Sequence, residues 1–330
     1  MTNKEVLENI KKQLSGNKEI DVPFLQQELR KYQSQNNFDI AYGIQLLLFN
    51  YLTDEQKAKL NDGAVNMLKD HKNKFEEAKQ LINYGEVDKA QRILIELFSL
   101  YEKVGLIEGS NFYDFPEPIE LFLYSPNLKG VKIKKVPEPV IYYAYQIASI
   151  YLEKNDVEKA IDYLEKALIF NPICQYVIQE LVDRLMMINK NDIAYSYIVK
   201  GLQYSYTKQQ LAFYYKKLGL YFKAKSRNDI AVASFAVSNL YSDDLDNKVK
   251  IKEIIDKVGP ILFKTSDELI NLFKQENLNY GPSRYVISVL KEYLETAKAT
   301  NNTKLITYIS KVGYDLTDDD YFKEEVNLEK

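Results

Sequence analysis

The chain has 330 residues, is 46% hydrophobic, and carries 44 Lys plus Arg against 47 Asp plus Glu. That length exceeds the size at which one compact core stops growing, so several domains or an open-ended repeat stack are expected. The near-balanced charge, net -3, argues against a dedicated nucleic-acid binder, and a lone cysteine, Cys174, excludes an intrachain disulfide framework and a cysteine-based zinc site. The one histidine, His71, stands among Lys69, Asp70, Lys72 and Lys74 and reads as an exposed helical residue with no catalytic partner in view. The opening residues, MTNKEVLENIKK, are polar and contain acids, unlike a secretory signal. The longest apolar stretch, Ile44–Phe49, is too short to cross a bilayer, so a cytoplasmic chain without a membrane partner is expected.

Glycine and proline are scarce, at 12 and 9, and long stretches rich in Lys, Glu, Leu, Ile and Ala carry apolar residues at helical spacing. Residues 1–106 read as an N-terminal helical region. Within it, Leu29, Tyr32, Asn36 and Ala41 share a spacing with Ala78, Leu81, Gly85 and Ala90, and Leu48 and Leu94 extend the two copies. Residues 107–139 break the pattern with five of the nine prolines and with Phe112, Tyr113, Phe115, Phe122 and Tyr124. So many rings predict an ordered crossing segment rather than a flexible linker. It should hold a short helix over Ile119–Tyr124 and an extended run at residues 131–136, and it serves either as a bridge or as a lid over a groove.

Residues 140–247 carry the strongest repetition. With Ile141 as position 1, Ile147, Ala148, Tyr151, Ala160, Leu164, Ala167 and Pro172 occupy positions 7, 8, 11, 20, 24, 27 and 32. Small residues at 8 and 20 let two helices approach, and large ones at 7, 11 and 24 fill the space between them. The proline ends the second helix. One copy later stand Leu181, Val182, Leu185, Ala194, Ile198 and Gly201; a third copy, displaced by three residues, has Tyr215, Leu218, Gly219, Phe222, Ala231, Phe235 and Ser238. The tetrapeptide NDIA opens the second helix of both. Position 18 is acidic in five copies, as Asp39, Asp88, Glu158, Asp192 and Asp229, which suits the electropositive first turn of a helix. Residues 248–330 read as a helical cap with helices near 248–258, 266–277, 284–299 and 303–314, and a weaker copy at 287–318 in which Ile306 replaces the alanine.

This pattern resembles the tetratricopeptide repeat. The resemblance implies an all-α fold, a right-handed α-solenoid of antiparallel helix pairs, and a binding role without catalysis, metal or cofactor. It also implies a concave face built from the first helix of each pair. Here that face would present Tyr142, Tyr145, Gln146 and Ser149, then Tyr176, Gln179 and Asp183, then Phe213, Lys216, Lys217 and Lys223. Members that clamp chaperone tails use lysine and asparagine, then basic residues, at places held here by Tyr145, Ser149, Glu180, Phe213 and Lys217; Lys217 alone fits, so that subclass is not expected.

Between Ile193 and Asn228 there is no acid, while Lys200, Lys208, Lys216, Lys217, Lys223, Lys225 and Arg227 accumulate. This asymmetry leaves two readings open, a solvated basic face and a site for an acidic protein or peptide segment. The chain's own tail, with Asp315, Asp318, Asp319, Asp320, Glu324 and Glu325, is an internal competitor for such a site. A protein-interaction scaffold is the leading expectation. A peptide-sensing regulator similar to helical-repeat pheromone receptors is the alternative, although no basic recognition helix precedes residue 70.

Overall fold

The computed structural model describes the chain except for residues 1–2, 36, 106–111, 129–132, 262, 264 and 324–330. Asn36, Glu324 and Glu325 therefore lie outside the described residues, as does the Asp39 side chain. The fold is all-α; the described strands are two dipeptides, β1 (Phe112–Tyr113) and β2 (Lys134–Lys135). Contacts divide the chain into unit 1, Met1–Phe112 with Val136–Glu138, and unit 2, Tyr113–Lys135 with Pro139–Lys330. The terminal helices 248–330 thus belong with the central repeats, and most of the crossing segment does too.

Unit 1 contains α1 (Asn3–Lys12), α2 (Lys18–Ser34), α3 (Phe38–Phe49), α4 (Asp54–Asn83) and α5 (Val87–Gly105). Ile10, Leu25, Ile40 and Ile44 form the core of its first three helices. Buried Asp21 closes the α1–α2 turn by accepting from the Ser15 and Gly16 amides and from the Tyr51 hydroxyl. α4 and α5 form the next hairpin. His71 is not exposed as its charged neighbours suggest. It is 7% accessible, and its Nδ1 lies 2.9 Å from buried Glu138. The sequence neighbours occupy other faces of α4, while His71 falls on the stripe it shares with buried Ala78.

Unit 2 is an α-solenoid. Its consecutive helix pairs are α7 (Val140–Glu153) with α8 (Val157–Phe170), α9 (Gln175–Met187) with α10 (Asn191–Gln203), and α11 (Lys208–Ala224) with α12 (Asn228–Tyr241). α13 (Leu245–Val258) and α14 (Ser266–Gln275) follow, then the pair α15 (Arg284–Ala299) and α16 (Thr303–Thr317), and the short α17 (Asp320–Lys323). All four helices expected after residue 248 are present. The position-20 residues Ala160, Ala194 and Ala231 are fully buried, as is Ala90 in unit 1.

One feature of the repeat escaped the sequence reading. At position 15 the chain enters the left-handed region in each copy where that residue is described, at Gly85, Asn155, Asn189, Ser226 and Asn301, with φ between 52° and 77°. The following amide closes back on the helix, as in Asp156 to Tyr151, Lys190 to Leu185 and Arg227 to Phe222, at 2.8–2.9 Å. This closure satisfies the orphan carbonyls of the helix end and reverses the chain. It marks the copies at 74–97 and 287–318 as the same unit, although Ile306 departs from the alanine pattern. Serine tolerates this conformation less well than asparagine or glycine. Ser226→Gly is therefore expected to raise stability by about 0.5–1 kcal/mol, read as a later midpoint in urea unfolding.

The described residues of the crossing segment between Tyr113 and Lys135 fold into unit 2. Its short helix α6 (Pro118–Tyr124) matches the expected span. Asp114 bonds to the Phe170 carbonyl and to the Ile141 amide. Glu120 is 1% accessible and accepts from Asn171 Nδ2 at 2.6 Å, the Gln175 amide at 3.0 Å and the Tyr206 hydroxyl at 3.4 Å. On its other side the segment meets α15. The Phe122 and Tyr293 rings stack at 4.6 Å, Ser125 bonds to Tyr293 at 2.6 Å, and Tyr285 donates to the Leu123 carbonyl at 2.6 Å. Within unit 2 it is a bridge.

Candidate binding face

The first helices α7, α9 and α11 bury one side against their partners and leave the other facing outward. In α7, Ile141, Ala144, Ile147 and Ala148 are buried, while Tyr145, Gln146 and Ser149 remain partly accessible and Tyr142 is 37% accessible. In α9, Ile178, Leu181, Val182 and Leu185 are buried, with Tyr176, Gln179, Asp183 and Met186 partly open and Met187 exposed. Phe213, Lys216, Lys217, Leu220 and Lys223 of α11 are likewise partly open. Intermediate exposure along the whole row is what neighbouring helices that shade one another produce.

Several of these side chains meet. The Tyr145 and Tyr176 rings pack edge to face at 5.2 Å, spanning the first two repeats. Burial, with Glu180 nearby, pushes the Tyr145 hydroxyl up. Burial, with Cys174, Asp114 and Glu120 nearby, pushes Tyr176 well above the ordinary tyrosine range. The Ser149 hydroxyl is turned inward, donating to the Tyr145 carbonyl at 3.0 Å. Glu180 and Arg184 pair at 2.7 Å along α9. Asp183 pairs with Lys217, whose ammonium also sits 5.1 Å over the Phe213 ring. Tyr142, Gln146 and Gln179 share these helix faces, and Tyr206, Asn171 and Gln175 place α6 at the helix ends rather than across the middle of the row.

The basic stretch reads differently in three dimensions. Lys216 pairs with Asp244 at 2.7 Å and Asp246 at 3.0 Å, and Lys223 with Glu253 at 2.5 Å, all on or beside α13. Lys225 meets Asp192 at 2.8 Å, Arg227 meets Glu276 at 2.9 Å, and Lys208 meets Asp318 of the tail at 2.7 Å. Hydrogen bonds from Lys250 and Lys216 pull the Asp246 carboxyl down to about 2. Lys200 is half-buried on α10, and burial holds its ammonium below the usual range. Of the position-18 acids, Asp192 stands in the first turn of α10 and makes no cap hydrogen bond there. It accepts from the Tyr221 hydroxyl at 3.0 Å and ties two repeats together.

The acids on and beside α13 are partners of these lysines, which the sequence alone did not pair. Their signal was the acidic run Asp243, Asp244 and Asp246 directly after a basic stretch. What stays open on the face, once these pairs form, is neutral and amphipathic: Tyr142, Tyr145, Gln146, Gln179, Met186, Met187, Phe213 and Leu220. Cys174 is buried at the start of α9, with its thiol pushed well up by burial and by Glu120. Among the described residues, no group of three or more His, Cys, Asp or Glu is placed to hold a metal ion, and no helix is long and apolar enough to cross a membrane.

No protein-family model matches the sequence, and no curated protein does. A solved structure described as the functional characterization of Pseudomonas aeruginosa pilF is similar, with a TM-score of 0.39 and 13% identity, over 79% of this chain and 97% of that one. The fold assignment rests on the helix pairs themselves.

Proposed function

We propose that unit 2 is a tetratricopeptide-type module that binds a protein or peptide segment along α7, α9 and α11, and that the chain works as an interaction scaffold without catalysis. The observation that supports this is the aromatic row itself. Tyr142, Tyr145, Tyr176 and Phe213 stay accessible one turn from fully buried residues. Rigid amphipathic rings beside glutamines are the chemistry of recognition surfaces.

The ligand is a largely neutral segment with apolar or aromatic anchors. An acidic segment would have to exchange with carboxylates already bound to Lys216, Lys217 and Lys223. Exchanging one exposed ion pair for another gains little. Peptide-display selection against the full chain tests this. Selected peptides should share apolar anchors, bind with little salt dependence, and lose about tenfold or more in affinity to Tyr145→Ala. Absence of any selected peptide, or indifference to Tyr145→Ala, would reject the proposal. Binding that collapses with salt and with Lys217→Glu would favour the acidic ligand.

A further inference from the structure

One cavity in unit 2 is lined by residues outside the ring row. It holds about 310 Å³ between the C-terminal half of α10, the turn after α14 and the start of α15. That is the small end of the range for ligand sites. Its apolar side is made by Val199, Leu202, Leu278 and Tyr285. Its rim carries the side-chain amides of Gln203, Asn277 and Asn279. The walls are fixed in advance. The Tyr215 hydroxyl donates to the Asn279 carbonyl at 2.6 Å and accepts from the Gly281 amide at 2.8 Å. The Tyr285 hydroxyl donates to the Leu123 carbonyl, and its ring packs edge to face on Tyr204 at 5.7 Å. Walls already in place spare a ligand the cost of ordering them.

Two further groups of the lining have bonding capacity to spare. Ser283 is 3% accessible; its Oγ accepts from the Tyr285 amide at 3.3 Å, and its hydroxyl proton has no acceptor among the described residues. Arg284, the one charged residue of the lining, forms no ion pair among the described residues. It opens α15, so the positive end of that helix adds to its field. Glu276, just before the turn, is taken by Arg227 at 2.9 Å. We propose that the cavity binds an apolar carboxylate. A branched or aromatic group lies against Leu202, Leu278 and Tyr285, and the carboxylate meets Arg284 and the Ser283 hydroxyl. A free carboxylic acid and the C-terminal residue of a peptide share this chemistry. One guanidinium matches one carboxylate in charge and in its forked geometry. A phosphate would bring a second charge that nothing in the lining offsets. The rim amides suit the polar backbone atoms of such an acid, because each both donates and accepts.

Saturation-transfer NMR on the full chain, titrated with N-acetyl-L-phenylalanine, tests the site. The acid should bind, and its uncharged amide should bind about tenfold more weakly. Arg284→Gln should weaken the acid about tenfold and leave the amide unchanged. Its side chain is exposed, so the urea midpoint should not move. Val199→Phe, which fills the apolar side from a partly open position, should abolish binding of both. Tyr145→Ala should change nothing, which separates this site from the ring row. A tripeptide ending in phenylalanine with a free carboxylate distinguishes the two sources. Binding at least as tight as the acid's assigns the site to a peptide terminus, and weaker binding assigns it to a free acid. No binding of the acid, equal binding of acid and amide, an acid indifferent to Arg284→Gln, or loss of binding in Tyr145→Ala would each overturn the proposal.

Discussion

Glu120→Ala is expected to destabilise unit 2 by several kcal/mol, and by more at pH 5 than at pH 8. The substitution strips the acceptor from three inward-pointing donors, Asn171 Nδ2, the Gln175 amide and the Tyr206 hydroxyl. Donors left unpaired in a dry interior cost about 1–3 kcal/mol each, less whatever relaxation recovers. The pH dependence follows from the carboxyl itself. Burial pushes it from 4.5 to about 7, against the opposing pull of the Gln175 and Asn171 hydrogen bonds. Between those values the folded chain keeps a proton that the unfolded chain has released. The stabilisation is therefore complete below pH 4.5 and is lost as pH rises through 7, an interval worth about 3 kcal/mol. Urea unfolding of wild type and variant at both pH values isolates this group, because all others cancel in the difference. A larger penalty at pH 8 than at pH 5 would show that the hydrogen bonds, not burial, dominate the site.

Gly201→Ala is expected to be the most damaging glycine-to-alanine change among the described residues. A Cβ at Gly201 would overlap the Tyr214 ring. That ring has no room to yield. It is fully buried, and its hydroxyl donates to Gln175 Oε1 at 2.9 Å. Overpacking of a locked aromatic costs about 3 kcal/mol or more. The repeat pattern puts alanine at this place in the first copy, as Ala167, so the glycine marks where the third copy presses closest on the second. Gly63→Ala supplies the contrast: in an exposed helical stretch with nothing near its Cβ, it should stabilise by about 0.5–1 kcal/mol. Thermal denaturation reads both. Tyr214→Leu in the Gly201→Ala background should recover part of the loss if ring overlap is its cause.

What could be read from the sequence was whatever depends on near neighbours. Ala160, Ala194 and Ala231 gave the close approach of paired helices because the residues they face are a fixed distance away in the chain. α6, α13, α15 and α16 were found within a few residues for the same reason. Position 15 was equally local but was hidden by its chemistry, since glycine, asparagine and serine share no obvious property except tolerance of the left-handed turn. The errors were of a different kind. His71 was misjudged because Glu138 lies 67 residues on, outside any helical window. The lysines of α11 looked unsatisfied because Asp244, Glu253 and Asp318 lie 28, 30 and 110 residues from their partners. Charge that is asymmetric along the chain has become nearly symmetric in space. The face that remains is recognisable by its rings, Tyr145 and Tyr176 foremost, and these were in the expected set.

The bridge made by the crossing segment bears on how the molecule is born. An ordinary repeat stack touches only its nearest neighbours, so it can nucleate in any copy and grow outward. Unit 2 cannot finish that way. Ser125 and Leu123 wait for Tyr293 and Tyr285, partners 168 and 162 residues downstream. During vectorial synthesis the repeats α7–α12 can form as they emerge, but α6 stays half-covered until α15 clears the ribosome. Closing a loop of that length is a slow, late step, so the rate of reaching the native state should be set by this one contact and not by the local helix pairs.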